Sequence, residues 1–224
     1  MTTETYRHEG KGGDASTGQV RSTANDADSA EQQLELVQLY ARQAPAVMAV
    51  NVINAVLVCA VVWPRVEGSA VIVWAIALVV FALLRGGFWY SVSQRGKLTT
   101  HAAARWRQAA IFSSAAGGIG WGVGGLLVFL CSESSLDHVF MAFVLGGMSA
   151  GSMAGLTAML PVFYASVWPM LLPYGIILIT GWDFMHIAMG AMVLIFTGAV
   201  SLFTRNVNQW VVSAIRLRHE NEGL

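Results

Sequence analysis

His138–Trp182 reads HVFMAFVLGGMSAGSMAGLTAMLPVFYASVWPMLLPYGIILITGW, 45 residues without one Asp, Glu, Lys or Arg. A bilayer core about 30 Å thick is crossed by about 20 apolar residues in a helix. The stretch is long enough for two spans and too short for three. Pro161 marks the break, because proline in a helix's first turn gives up an N–H that has no partner there. Spans are expected at 138–160 and 161–181.

The same rule applied outward places further spans at 44–63, 69–90, 109–131 and 187–204, six in all. Composition agrees. Hydrophobic residues make up 55% of the 224 and charged ones 12%, with zero formal net charge. A soluble domain carries about 25% charged residues. A chain this poor in charge cannot clothe a water-facing surface, so a disordered protein, a disulfide-stapled module and most soluble enzymes are excluded. Zero net charge gives no field to attract nucleic acid. The expected fold class is all-α, a polytopic membrane protein.

Residues 1–28 are mostly Thr, Gly, Ser, Asp and Asn, with little to bury, and are expected to form a disordered tail. From Ser29 the pattern turns helical, with Leu34, Val37, Tyr40 and Ala41 on one face. A separate helix over 29–43, lying at the bilayer surface, is expected. Residues 205–224 are polar again and helical in pattern.

Orientation follows from Lys and Arg in short loops. The second loop holds Arg95, Lys97, Arg105 and Arg107, with Arg85 just before it. The C-terminal segment holds Arg205, Arg216 and Arg218. The first, third and fifth loops hold Arg65 against the acids Glu67, Glu133, Asp137 and Asp183. Both chain ends and the second loop are therefore expected in the cytoplasm. The spans themselves carry no ionisable side chain at mid-depth, which argues against a proton- or ion-coupled transporter. Asn51 and Asn54 are the most polar groups within a span and suit interhelical hydrogen bonds.

Gly120-Trp-Gly122-Val-Gly124-Gly125 matches the dinucleotide fingerprint in letters only, because it lies inside an apolar span and not after a strand. Small residues four apart instead let helix backbones approach in lipid. Gly118 and Gly122, and Gly147, Gly151 and Gly155, form two such faces. They are expected to pack spans three and four together or to form a homodimer. Cys59 and Cys131 both lie toward the same ends of their spans; two separate thiols are favoured over a disulfide.

No HExxH or Walker loop occurs, so no catalytic residues and no cofactor are expected. On the outer face, Asp137 and His138 precede span four and Asp183 and His186 precede span six. Imidazole and carboxylate are usual zinc ligands. These four could hold a divalent metal, could respond to external pH, or could simply cap two helix starts. A shared metal requires the two histidines to meet.

From Trp210, the residues Trp210, Ala214, Leu217, Asn221 and Leu224 step by four, three, four and three, an a/d seam of about two heptads. The seam suggests a parallel homodimer, and its unfinished pattern suggests a further domain beyond residue 224.

Several stretches resemble one family. They are LVQLYAR at 36–42, Trp63-Pro64 at the end of span one, Ala104–Arg107 leading into span three, and the small-residue run Gly146–Gly155. Leu172-Pro173 and LRHENEGL at 217–224 complete the set. Over about residues 30–224 the chain is similar to the six-span MASE-like input domains of bacterial diguanylate cyclases (GGDEF proteins) and sensor histidine kinases. The resemblance implies a bacterial inner-membrane sensor module, homodimeric, whose last helix passes a signal to a cytoplasmic output domain. It names no ligand. The alternatives are a small transporter or channel subunit, or a membrane scaffold.

Overall fold

The computed structural model describes residues 13–66, 69–94, 103–156, 159–181 and 183–222. Side chains are described from Leu34, except at Ala103, Ala154, Val211, Val212 and 214–222. Among the described residues the protein is all-α, with six α-helices: α1 (Gly13–Val62), α2 (Ala70–Gln94), α3 (Ala103–Cys131), α4 (Ser135–Leu156), α5 (Leu160–Ile179) and α6 (Phe184–Glu222). Among the described residues five are long and apolar enough to cross a membrane: Leu34–Arg65, Ala70–Gln94, Ala104–Cys131, Leu160–Ile179 and Phe184–Trp210. The remaining one, α4, has 22 residues, and its first turn carries Asp137.

Two boundaries differ from the sequence reading. The helix expected over 29–43 and the first span form one helix, described from Gly13, within the stretch expected to be a disordered tail. Extending an existing helix avoids the unfavourable nucleation step. Leu34, Val37, Tyr40 and Ala41 do share a face, but it is buried in the protein and does not lie on a bilayer surface. The second difference is the end of α2, which runs on to Gln94, past the span expected to close at 90, and leaves Arg85 about 13 Å before that end at 1.5 Å per residue.

Helix α3 is the centre of the bundle. Its most extensive partner is α5, while α2 covers another side, α1 packs along α2, and α6 packs on α5. The reason for the α3–α5 pairing lies in two residue types. Helix α5 contains Pro169 and Pro173. Pro173 has no N–H, so the carbonyl of Pro169, four residues back, has no helical donor. Gly122 of α3 sits against that carbonyl; a Cβ there would come within 2.2 Å of Pro169 O. Gly118 repeats the approach one turn away, 2.1 Å from Ser166 O by the same measure. The missing side chains let the Cα–H groups reach these oxygens.

The glycine expectation is thus corrected. Gly118 and Gly122 join spans three and five, not three and four. Gly147 and Gly151 of α4 have nothing within 4 Å of an added Cβ, and Gly155 faces Gln43 Oε1 of α1. The Gly120–Gly125 run is helical, as a lipid-buried packing face requires. Trp74 of α2 lies over Gly124 and donates its indole N–H to Gly120 O at 2.7 Å. Cys59 and Cys131 are separate free thiols.

Candidate functional site

The end of the bundle where α3 passes to α4 and α5 to α6 carries a connected polar cluster. A short 3-10 turn, Trp63–Arg65, follows α1. Arg65 donates from Nη1 to Asp137 Oδ1 at 2.6 Å, and Ser132 Oγ donates to Asp137 Oδ2 at 2.7 Å. Asp137 is 1% exposed, so both carboxylate oxygens need these donors. Its position in the first turn of α4 also places a negative charge at the positive end of the helix dipole.

His138, next in sequence, is buried. Its Nε2 lies 3.0 Å from the Ser132 carbonyl and its Nδ1 lies 2.8 Å from His186 Nε2. His186 Nδ1 in turn meets the Asp183 carboxylate, three residues back at the start of α6. Phe129 of α3 stacks on His138, with centroids 5.0 Å apart, and Tyr174 of α5 donates to the His138 carbonyl at 2.7 Å. Five helical elements therefore meet here. The His186 bond holds the exposed Asp183 carboxyl below its usual range.

The acceptors fix the protons. A carbonyl only accepts, so His138 Nε2 carries hydrogen. That leaves the Nδ1 of a neutral His138 bare. A carboxylate only accepts, so His186 Nδ1 carries hydrogen too, which leaves the Nε2 of a neutral His186 bare. Two bare nitrogens would then face each other at 2.8 Å. All the bonds form together only when the cluster holds one proton beyond an Asp183 carboxylate and two neutral imidazoles.

The two histidines thus meet, as a shared site requires. They meet by direct hydrogen bond, Asp137 is turned to Arg65 and Ser132, and among the described residues no group of three or more His, Cys, Asp or Glu is placed to hold a metal ion. Ser132 and Tyr174 belong to the cluster and carried no signal in the sequence, because their roles depend on which carbonyl or carboxylate they reach.

A second polar feature lies between α1, α2 and α3. Arg85 donates from Nη2 to Tyr40 OH at 2.5 Å and to Ser114 Oγ at 2.7 Å. It borders a cavity of about 200 Å³ that reaches along α1 and the glycine face of α4. Asn51 closes one wall, accepting from Trp121 Nε1 at 2.7 Å and donating to Val47 O at 2.8 Å. This is the interhelical bond expected of it; Asn54 lines the cavity. The placement of Arg85 was readable in part, since Gly-Gly-Phe-Trp-Tyr after it is still apolar.

Of the seam residues, Trp210 is exposed on α6. Ala214, Leu217 and Asn221 fall on the backbone of α6, but their side chains, like Leu224 altogether, lie outside the described residues. No family model matches the chain, and neither a curated protein nor a solved structure is similar enough to match.

Proposed function

We propose that this chain is a membrane-embedded sensory input module of the MASE-like kind, in a bacterial inner membrane. In this reading all six helices span, both ends are cytoplasmic, and the chain forms a homodimer. It performs no chemistry itself. A signal passes along α6 to an output domain in cis, a diguanylate cyclase or a histidine kinase.

The observation that supports this most is α6 itself, one helix from Phe184 to Glu222. At 1.5 Å per residue its 39 residues extend about 58 Å. One end begins beside the His138–His186 contact, and the other continues well past the apolar part that ends at Trp210. A continuous helix moves as a rod, so a change at the first turn is carried to the last.

The test is a fusion of residues 1–224 to a diguanylate cyclase or kinase reporter, with one to four residues inserted after Asn206. Each inserted residue turns the following helix by about 100°. Output should rise and fall with insertion length and return near the starting level at four. Output indifferent to insertion length would reject the rod. The second reading, a small transporter, gains support from Arg85 inside α2, which supplies a fixed charge within a span. Uptake of an anion by vesicles carrying the protein alone would favour it.

A further inference from the structure

We propose that the cavity between α1 and α4 binds an anionic amphiphile, with its carboxylate or phosphate oxygens on Arg85 and its acyl chain along the glycine face of α4. The argument begins with an uncompensated charge. Arg85 is held by two neutral hydroxyls, those of Tyr40 and Ser114. Its Nε is buried without a hydrogen-bond partner. The ion pairs among the described residues are Arg65–Asp137 and His186–Asp183, so no carboxylate there neutralises it. Arg85 is half-buried; a partly desolvated cation without a counter-charge is costly, and the cost is relieved by any oxyanion that can reach it.

The space beside Arg85 fits such a ligand. The cavity has a volume of about 200 Å³. An apolar cavity of about 150 Å³ already holds a six-carbon ring. Met48, Val47 and Met170 give it apolar walls. Gly147 and Gly151 leave the side along α4 open, since nothing lies within 4 Å of an added Cβ at either. An acyl chain entering there can continue into lipid while its head stays on Arg85. In the proposed orientation Arg85 lies toward the inner leaflet, where anionic lipids concentrate. A free fatty acid and an anionic phospholipid share this head chemistry. The binding site stands whether or not the chain passes a signal.

The experiment uses the full chain purified in a neutral detergent and follows tryptophan quenching by brominated acyl chains. Trp121 borders the cavity, and the difference between wild type and Trp121→Phe isolates it from the other tryptophans. The probes are dibromostearate, its uncharged methyl ester and dibrominated phosphatidylglycerol. Saturable quenching of Trp121 by the acid or by the phosphatidylglycerol, with little by the ester, is the expected result. The acid alone identifies a free carboxylate ligand; the phosphatidylglycerol identifies a lipid phosphate. Arg85→Gln should weaken binding about ten-fold or more, as loss of charge-assisted bonds does. Gly151→Leu fills the cavity without touching Arg85 and should block binding even if Arg85→Gln fails to fold. Equal quenching by acid and ester, no saturable quenching by either anion, or wild-type affinity in Gly151→Leu would overturn the proposal.

Discussion

His138 Nδ1, on α4, and His186 Nε2, on α6, lie 2.8 Å apart. The Ser132 carbonyl and the Asp183 carboxylate take the other ring nitrogens at the two ends of the pair. The other charged groups nearby are engaged elsewhere, Asp137 with Arg65 and Ser132. The faces toward α3 and α5 present the Phe129 ring and the Tyr174 hydroxyl, which is already donating to the His138 carbonyl.

The prediction is that the Asp183–His186 contact at the start of α6 weakens in acid. The lowered carboxyl of Asp183 contributes above its usual value of 3.8, and that contribution is lost as pH falls through the still lower folded value. Carbon NMR of the labelled Asp183 carboxyl should show it titrating below 3.8. Titration at or above that value would refute this.

The sequence revealed the bundle better than its seams. The uncharged stretch 138–182 and the loop charges were enough for a helical membrane protein, because lipid forbids unpaired backbone and charge alike. The buried face of Leu34, Val37, Tyr40 and Ala41 was readable from 3.6-residue spacing. Glycine spacing showed which faces admit a close neighbour but not which helix would come. That depended on Pro173 freeing the Pro169 carbonyl on α5, a relationship between distant parts of the chain. The histidines could be placed at one end of the bundle. Whether they would bind each other or a third atom rested on Ser132 and Asp183, whose orientation no spacing encodes.

The two glycine faces should therefore respond differently to the same change. Gly122→Ala places a methyl 2.2 Å from a backbone oxygen, and neither helix can yield without separating. A loss of about 1–3 kcal/mol is expected, in the range for overpacked cores. Gly147→Ala meets open space and should change stability little, or raise it slightly through better helix propensity. Thermal unfolding of both variants in one detergent decides the matter. Equal destabilisation would mean that α4 is as tightly packed as α3.

Both chain ends on one side of the membrane is a separate expectation, and reporter fusions test it directly. Fusions after residues 100 and 224 should report cytoplasm, and one within 132–137 should report the outside. The basic second loop makes the first of these decisive. An external signal at residue 100 would invert the topology and move Arg85 to the outer leaflet.

The last prediction concerns the far end of α6. Trp210 is exposed, and an exposed indole at the start of an a/d seam is a surface that a second copy can cover. Leu217 lies on that seam and Arg218 lies beside it. In a parallel homodimer the a and d positions face their equivalents across the axis, so a cysteine at 217 meets its own copy while one at 218 points away. Leu217→Cys should crosslink in membranes several-fold faster than Arg218→Cys under the same mild oxidant. Native Cys59 and Cys131 are free thiols, so both are first changed to serine to remove competing pairs. Leu217→Pro should abolish coupling to a fused reporter while the protein stays in the membrane, since proline inside a helix costs about 3 kcal/mol there and leaves the spans intact. Equal crosslinking at 217 and 218 would exclude a defined seam, and full output from Leu217→Pro would exclude transmission through this helix.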